Sequence, residues 1–193
     1  VGVVSTLLPG LKESVIEKTI GMLETRLSPS GSRIIEHCKV PHSADEVAKA
    51  IALLRGDCDM IMVFGASAIC DAEDVIPSAL RQAGGKVERV GMPVDPGNLL
   101  MLGAIGDMRV IGAPGCARSP ARNGLDFVLE RLFCGIPVTE FDLSGMGVGG
   151  LLMEIGSRPQ PREVSASTDT RIAGILLAAG QSRRMGDANK LTL

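Results

Sequence analysis

Three stretches of the sequence gather residues that could do chemistry. In "FGASAICDAEDVIPSAL" the small residues Gly65, Ala66, Ser67 and Ala68 precede the acids Asp71, Glu73 and Asp74. Small side chains let the backbone approach a ligand closely, and carboxylates can meet its donors. "VIGAPGCARSPARNG" turns through Gly112, Pro114 and Gly115, then sets Arg118, Ser119 and Arg122 at or near a helix start. Backbone N–H groups and the helix dipole favour an anion there. "ILLAAGQSRRMGDANKL", at 175–191, runs from an apolar stretch into Ala178, Ala179 and Gly180, with Arg183, Arg184 and Lys190 alongside. Such a turn can aim successive N–H groups at phosphate oxygens. Its chemistry would be to hold a nucleoside triphosphate for attack at the α-phosphate.

Each residue type also has a plainer use. Asp74 and Asp71 can cap the helix that begins near Val75. Arg118 and Arg122 can be solvated charges, as can Glu24, Arg26, Glu88 and Arg89. His37 falls in a strand-like run and suits a structural role. His42 suits a solvated loop or the polar lining of a site. Cys70 and Cys116 sit in the two candidate loops, where a small buried thiol is the default and a thiolate role the exception. Met60 and Met62 read as core.

The elements that must position these loops are legible from periodicity. "VGVVS", "RIIEHCKV", "DMIMVF" (59–64), "KVERV" and "MRVI" read as strands. The third has no polar alternation, which suits a central parallel strand covered on both faces. Helices are expected over 11–27, with Leu11, Val15, Thr19, Leu23 and Leu27 on one face, and over "SADEVAKAIALL". In the latter Ser43 and Glu46 have capping-box spacing, and Ala44, Val47, Ala48, Ile51 and Leu54 form the buried side. Further helices are expected near 73–82, ending at Gly84-Gly85, and in "ARNGLDFVLERLF", with Leu125, Val128, Leu129, Leu132 and Phe133 at helical spacing. A last short one starts at Thr139, with Asp142 as capping partner. Strands alternating with helices imply a three-layer α/β/α fold with a mostly parallel central sheet.

Composition narrows the function classes. The chain has 193 residues, 45% of them hydrophobic but only 2% aromatic, so an aliphatic core is expected. A net charge of −2 argues against nucleic acid as a partner. No apolar run approaches the roughly 20 residues that span a bilayer, so no membrane partner is expected. Five dispersed cysteines without C-x-x-C spacing, and no leader-like segment, fit a cytoplasmic protein without a metal site. From Gly156 the composition turns to proline, serine and threonine. The expected organisation is a domain at 1–155, a linker at 156–170 and, at 171–193, the beginning of a second domain. Val1 already reads as strand, so the chain reads as part of a longer protein. A single strand with a loop buries too little surface to offset its ordering entropy, so 157–193 is expected to be poorly ordered.

Two resemblances sharpen this picture. Leu177 to Leu191 fits the nucleotidyltransferase signature L-A-A-G-x-S-x-R-M-G-x-x-N-K-L at every fixed position, and most resembles the CTP:molybdopterin cytidylyltransferases and their guanylyl relatives. The resemblance implies that Gly180, Ser182, Arg184 and Lys190 contact the nucleotide, and that the longer protein uses Mg²⁺ with CTP or GTP. Val1 to Ile155 resembles, more diffusely, the molybdopterin-binding domain shared by molybdopterin adenylyltransferase and molybdopterin molybdenumtransferase. "AEDVIPSAL" fits that family's D-V-x-P segment, "APGCARSP" its P-G-x-P segment, and "VDPGNLLMLG" a further proline–glycine turn. "VVST" and "MGVGGLLMEI" also fit, in the right order. Gly65, Ala66 and Ser67 stand where the family has T-G-G, and His42 follows Pro41 where it often has Val-Pro-Asp-Asp.

Together the resemblances imply a bifunctional protein of molybdenum-cofactor biosynthesis. Its first domain would bind molybdopterin or the molybdenum cofactor through Gly65, Ala66, Ser67, Asp74, Gly115, Arg118 and Ser119. Its second would transfer CMP or GMP to the pterin phosphate, a reaction this chain alone is not expected to perform. The altered T-G-G segment keeps an alternative open: a non-catalytic carrier or oligomerisation module that delivers the cofactor to the fused transferase or to a molybdoenzyme client. A homo-oligomer is implied by resemblance only. A general nucleotide-binding domain is a weaker third reading, since no G-x-G-x-x-G or P-loop supports it.

Overall fold

A computed structural model describes residues 1–147 of the chain. The expected linker, the nucleotidyltransferase-like segment with Gly180, Ser182, Arg184 and Lys190, "MGVGGLLMEI" beyond Gly147, and the domain boundary near Ile155 lie outside the described residues.

Six strands form one sheet: β1 (Gly2–Leu7), β2 (Glu36–Pro41), β3 (Met60–Phe64), β4 (Lys86–Val90), β5 (Met101–Ile105) and β6 (Met108–Ala113). Their spatial order is β2-β1-β3-β6-β5-β4. Pairing is parallel from β2 through β1 and β3 to β6, and antiparallel at β6–β5 and β5–β4. β5 is a strand that the sequence reading missed. "MLGAIGDMRVIG" is a hairpin whose turn contains Gly106, at φ +57°, the positive φ that tight primed turns require.

The helices are α1 (Glu13–Leu27), α2 (Ala44–Leu54), α3 (Val75–Gln82), α4 (Gly124–Phe133) and α5 (Glu140–Gly145). β3 is buried at every residue, and its alternation divides the core. Met60, Met62 and Phe64 join Leu23 and Leu27 of α1, Leu125 and Val128 of α4 and Leu143 of α5. Ile61 and Val63 join Val47 and Ile51 of α2 and Ile76 and Leu80 of α3. Helix layers on both faces of the sheet make the fold three-layered α/β/α. Burying one such aliphatic side chain is worth roughly 1.5–3 kcal/mol, so the two clusters dominate stability.

Three details differ from expectation. The buried face of α1 is Ile16, Thr19, Leu23 and Leu27, while Val15 is exposed and Leu11 precedes the helix. A strict i, i+4 series drifts about 40° per step around a 3.6-residue helix, so it leaves the buried stripe. At α2, Ser43 caps the Glu46 N–H, but the Glu46 carboxylate pairs with Lys49 at 2.6 Å. On the same helix Ala50 is fully buried, whereas Ala44 and Ala48 are only half-buried. Among the described residues no helix is long and apolar enough to cross a membrane.

Candidate functional site

The chain leaves β1 toward the α1 face and leaves β3 toward the α3 face. The two connections part at the C-terminal ends of neighbouring strands, where open α/β sheets form a ligand crevice. Register brings the candidate loops there. Ser5 lies opposite Phe64, and Phe64 opposite Ala113. The 65–74 loop after β3 and the 114–123 loop after β6 therefore start side by side.

Gly65 opens the first loop in a tight turn, where a Cβ would stand 2.6 Å from the Ser67 carbonyl oxygen. The Ala66 N–H donates to Thr6 Oγ1 at 2.6 Å. Thr6 Oγ1 also lies 2.8 Å from His42 Nδ1, and His42 Nε2 lies 2.8 Å from Ser67 Oγ. Burial lowers the His42 pKa from its ordinary value, while the Asp74 carboxylate acts to raise it. His42 is thus half-buried and bonded through both ring nitrogens rather than part of a solvated loop. Thr6 is a residue that the sequence does not single out, whereas His42 reads as solvated loop or polar lining. The signal is positional: Thr6 lies near the C-terminal end of β1 and His42 directly follows its neighbour β2.

Asp74 occupies the residue before α3 but makes no side-chain cap to it. Its Oδ2 reaches backwards and accepts from the Cys70 and Asp71 N–H groups at 2.7 and 2.9 Å. Asp71 Oδ1 in turn accepts from the Glu73 N–H at 2.7 Å. Both carboxylates hold the loop they belong to, neither being a cap for α3.

Arg118 ends a short 3₁₀ turn, Gly115–Arg118. Its Nη2 donates to the Gly65 carbonyl at 2.8 Å, and its guanidinium carbon lies 5.9 Å from the Phe64 ring centre. It therefore ties the second loop to the first. Burial lowers its pKa from the ordinary value, and among the described residues no carboxylate forms an ion pair with it. Gly115 is exposed, and a Cβ there would meet nothing within 4 Å.

The start of α4 is already satisfied from within. Asn123 and Asp126 form a reciprocal capping box, and Asp126 pairs with Arg26 at 2.8 Å. Arg122 pairs with Glu130 and stands over Phe127. The anion site expected at this helix start therefore reduces to Arg118 and its neighbours. The Ser119 carbonyl accepts from Arg26 Nη2 at 2.7 Å, and its Oγ accepts from the Ala121 N–H. Arg26 is not the solvated charge that composition suggested. Nor is Arg89, which donates to the Gly91 carbonyl and to Ser144 Oγ, or Glu88, which pairs with Arg109.

A cavity of about 440 Å³ opens at the opposite end of the sheet, lined by Val1, Ile35, Met60, Arg109 and Phe133 among others. It contains no residue of either candidate loop. The Thr6, His42 and Ser67 contacts, with Arg118 bonded to the neighbouring Gly65 carbonyl, make the switch point the candidate site instead. Among the described residues no cluster of three His, Cys, Asp or Glu has the arrangement to hold a metal ion.

No protein-family model matches the chain, and no curated protein matches it. Solved structures resemble it. The CinA protein of Thermoplasma acidophilum, described as of unknown function, is 13% identical with a TM-score of 0.52, over 70% of this chain and 98% of that one. The molybdopterin biosynthesis MoeA protein of Pyrococcus horikosii is 16% identical with a TM-score of 0.45, over 76% of this chain and 35% of its own length. This chain therefore corresponds to about a third of the latter protein, and the former shows that its three-layer fold is shared.

Proposed function

We propose that residues 1–147 form a binding domain for molybdopterin or the molybdenum cofactor, with the pterin's phosphate in the crevice between the ends of β1, β3 and β6. The observation that carries this is Arg118. A half-buried guanidinium with no carboxylate partner among the described residues, bonded from the second loop to the first, favours an anion, and a phosphate oxygen suits its fork. Gly65, Ala66, Ser67, Asp74, Gly115 and Ser119 line the same two loops. The segments that resemble the molybdopterin-binding family, "AEDVIPSAL" and "APGCARSP", are the ones at this crevice. The Leu177–Leu191 signature extends the proposal to a bifunctional protein in which a complete nucleotidyltransferase domain, with Mg²⁺ and CTP or GTP, transfers CMP or GMP to that phosphate.

The commitment of Asp71 and Asp74 to their own loop favours a domain that binds and delivers the cofactor over one that adenylates it. Delivery would be to the fused transferase or a molybdoenzyme client, and a homo-oligomer would suit that use. The test is a titration of the chain with purified molybdopterin, beside Arg118→Met, with CTP·Mg²⁺ as comparison ligand. Pterin binding that falls at least tenfold in Arg118→Met supports the proposal, on the scale of one charge-assisted hydrogen bond. Absence of pterin binding by the unaltered chain defeats it. Turnover of ATP in the presence of pterin would replace delivery by catalysis.

A further inference from the structure

The contacts among Thr6, His42 and Ser67 have the outline of an activated nucleophile: a serine on an imidazole that a third group orients. Hydrogen-bond accounting decides what the set does. The Thr6 side chain is buried, and its hydroxyl has one hydrogen and two lone pairs. The Ala66 N–H takes one lone pair. Among the described residues the only other polar atom in reach of Oγ1 is His42 Nδ1. If Nδ1 carried the proton, Thr6 would accept twice and bury its own hydrogen unpaired, which is costly. If Nδ1 is the acceptor, every group is satisfied. The imidazole proton then sits on Nε2 and is donated to Ser67 Oγ. Ser67 is exposed, so its own hydrogen is free to point outward.

We propose that Thr6 and His42 are positioning residues that hold Ser67 as an outward hydrogen-bond donor for an anionic oxygen of the bound ligand, and not as a nucleophile. The direction runs from Thr6 O–H to His42 Nδ1 and from His42 Nε2–H to Ser67 Oγ. This deepens the proposed function and rests on it for the ligand's identity, while the direction of the relay stands apart from any ligand.

The test has two arms. In the ¹⁵N-labelled chain above neutral pH, long-range proton–nitrogen correlations report the His42 tautomer. An Nε2-protonated ring with an acceptor Nδ1 is expected, and a protonated Nδ1 overturns the proposal. So does covalent labelling of Ser67 by a fluorophosphonate, which requires the nucleophile arrangement. In the second arm, Ser67→Ala weakens molybdopterin binding roughly tenfold. Thr6→Val weakens it similarly and abolishes the tautomer preference, and Thr6→Ser restores both. Affinity indifferent to Ser67→Ala overturns the donor role. If the unaltered chain ignores molybdopterin, the proposed function has failed on its own, and the same variants are titrated with inorganic phosphate. Phosphate that does not bind, or binds Ser67→Ala equally well, then overturns the donor role.

Discussion

The two loops that wall the crevice are built on opposite plans. The 65–74 loop is held by a carboxylate of its own: Asp74 gathers two backbone N–H groups four and three residues back. The 114–123 loop is held by a cation from elsewhere. Arg26, on α1, donates to the carbonyls of Ala117, Ser119 and Ala121 and pairs with Asp126, one hundred residues along the chain. The Arg26 and Asp126 side chains are only 10% and 15% exposed, whereas the bonds within the 70–74 segment are solvent-exposed. A loop closed on itself in water opens alone at small cost, while one tied into the α1–α4 contact opens only with that contact. One wall of the crevice is therefore adaptable and the other fixed, with Arg118 of the fixed wall reaching the Gly65 carbonyl of the adaptable one.

The largest effect that would break this contrast is at Arg26. Arg26→Met leaves Asp126 without its partner and three carbonyls without a donor. It is expected to cost about 3–5 kcal/mol, the usual scale for breaking a buried pair by removing one member. Arg26→Lys is not expected to rescue it, because an ammonium cannot span the positions that the guanidinium fork serves. Urea unfolding of both variants measures this, and a loss below about 1 kcal/mol would show that α1 does not hold the second loop.

Glycines separate the walls next. At Gly65 a Cβ would also meet Ile76 Cδ1 at 2.9 Å, besides the Ser67 carbonyl, so Gly65→Ala is expected to cost about 1–3 kcal/mol through forced backbone shifts. At Gly115 there is open space, and Gly115→Ala is expected to stay within about 0.5 kcal/mol. Thermal or urea unfolding of the pair tests the difference. Equal costs would mean that the first turn relaxes around the added methyl.

The same contrast explains what could be read from sequence. The strands and helices that carry the core were legible because apolar period and caps act locally: β3 as an unbroken apolar run, the Thr139–Asp142 box at α5, and the Leu125, Val128 and Leu129 stripe of α4. β5 was not legible beside its proline–glycine turn, because an apolar run that short has no periodicity to assign it. In the site, the loops themselves stood out by their glycines and charges. Arg26 and Thr6 did not, because their partners lie 100 and 36 residues away in sequence, and for His42, whose partner Ser67 is 25 residues on, the choice between solvated loop and lining stayed open. A side chain whose partner is set by topology looks like solvated charge or plain strand until the sheet order is known.

Asp74 tests the adaptable wall directly. Asp74→Ala is expected to cost about 1 kcal/mol, since exposed loop amides can turn to water instead. Asp74→Asn keeps an acceptor and should lose less. The sharper readout is amide exchange: the Cys70 and Asp71 N–H groups exchange faster in Asp74→Ala, while those of Ser119 and Ala121 are unchanged. Acceleration in both loops would show that the two walls are coupled.

The smallest effect comes from acid. Both histidines, His37 and His42, are held below their ordinary pKa, chiefly by burial. Lys39 adds to the lowering at His37, and Asp74 opposes it at His42. The unfolded chain therefore binds more protons than the folded one below the free histidine value, about 6.5. Stability is complete above that pH and declines as pH falls from there toward the folded values. His42 contacts the adaptable wall through Ser67, and the 114–123 loop contains no histidine. As pH falls below about 6.5, the Ala66 amide, which depends on Thr6 and through it on His42, should gain exchange relative to Ser119. Protonating His42 leaves Nδ1 no longer an acceptor for Thr6, which loosens the turn at Gly65 without touching the Arg26 clamp. If the two amides instead accelerate together, acid acts on the whole domain, and the division into an adaptable and a fixed wall fails at its most sensitive point.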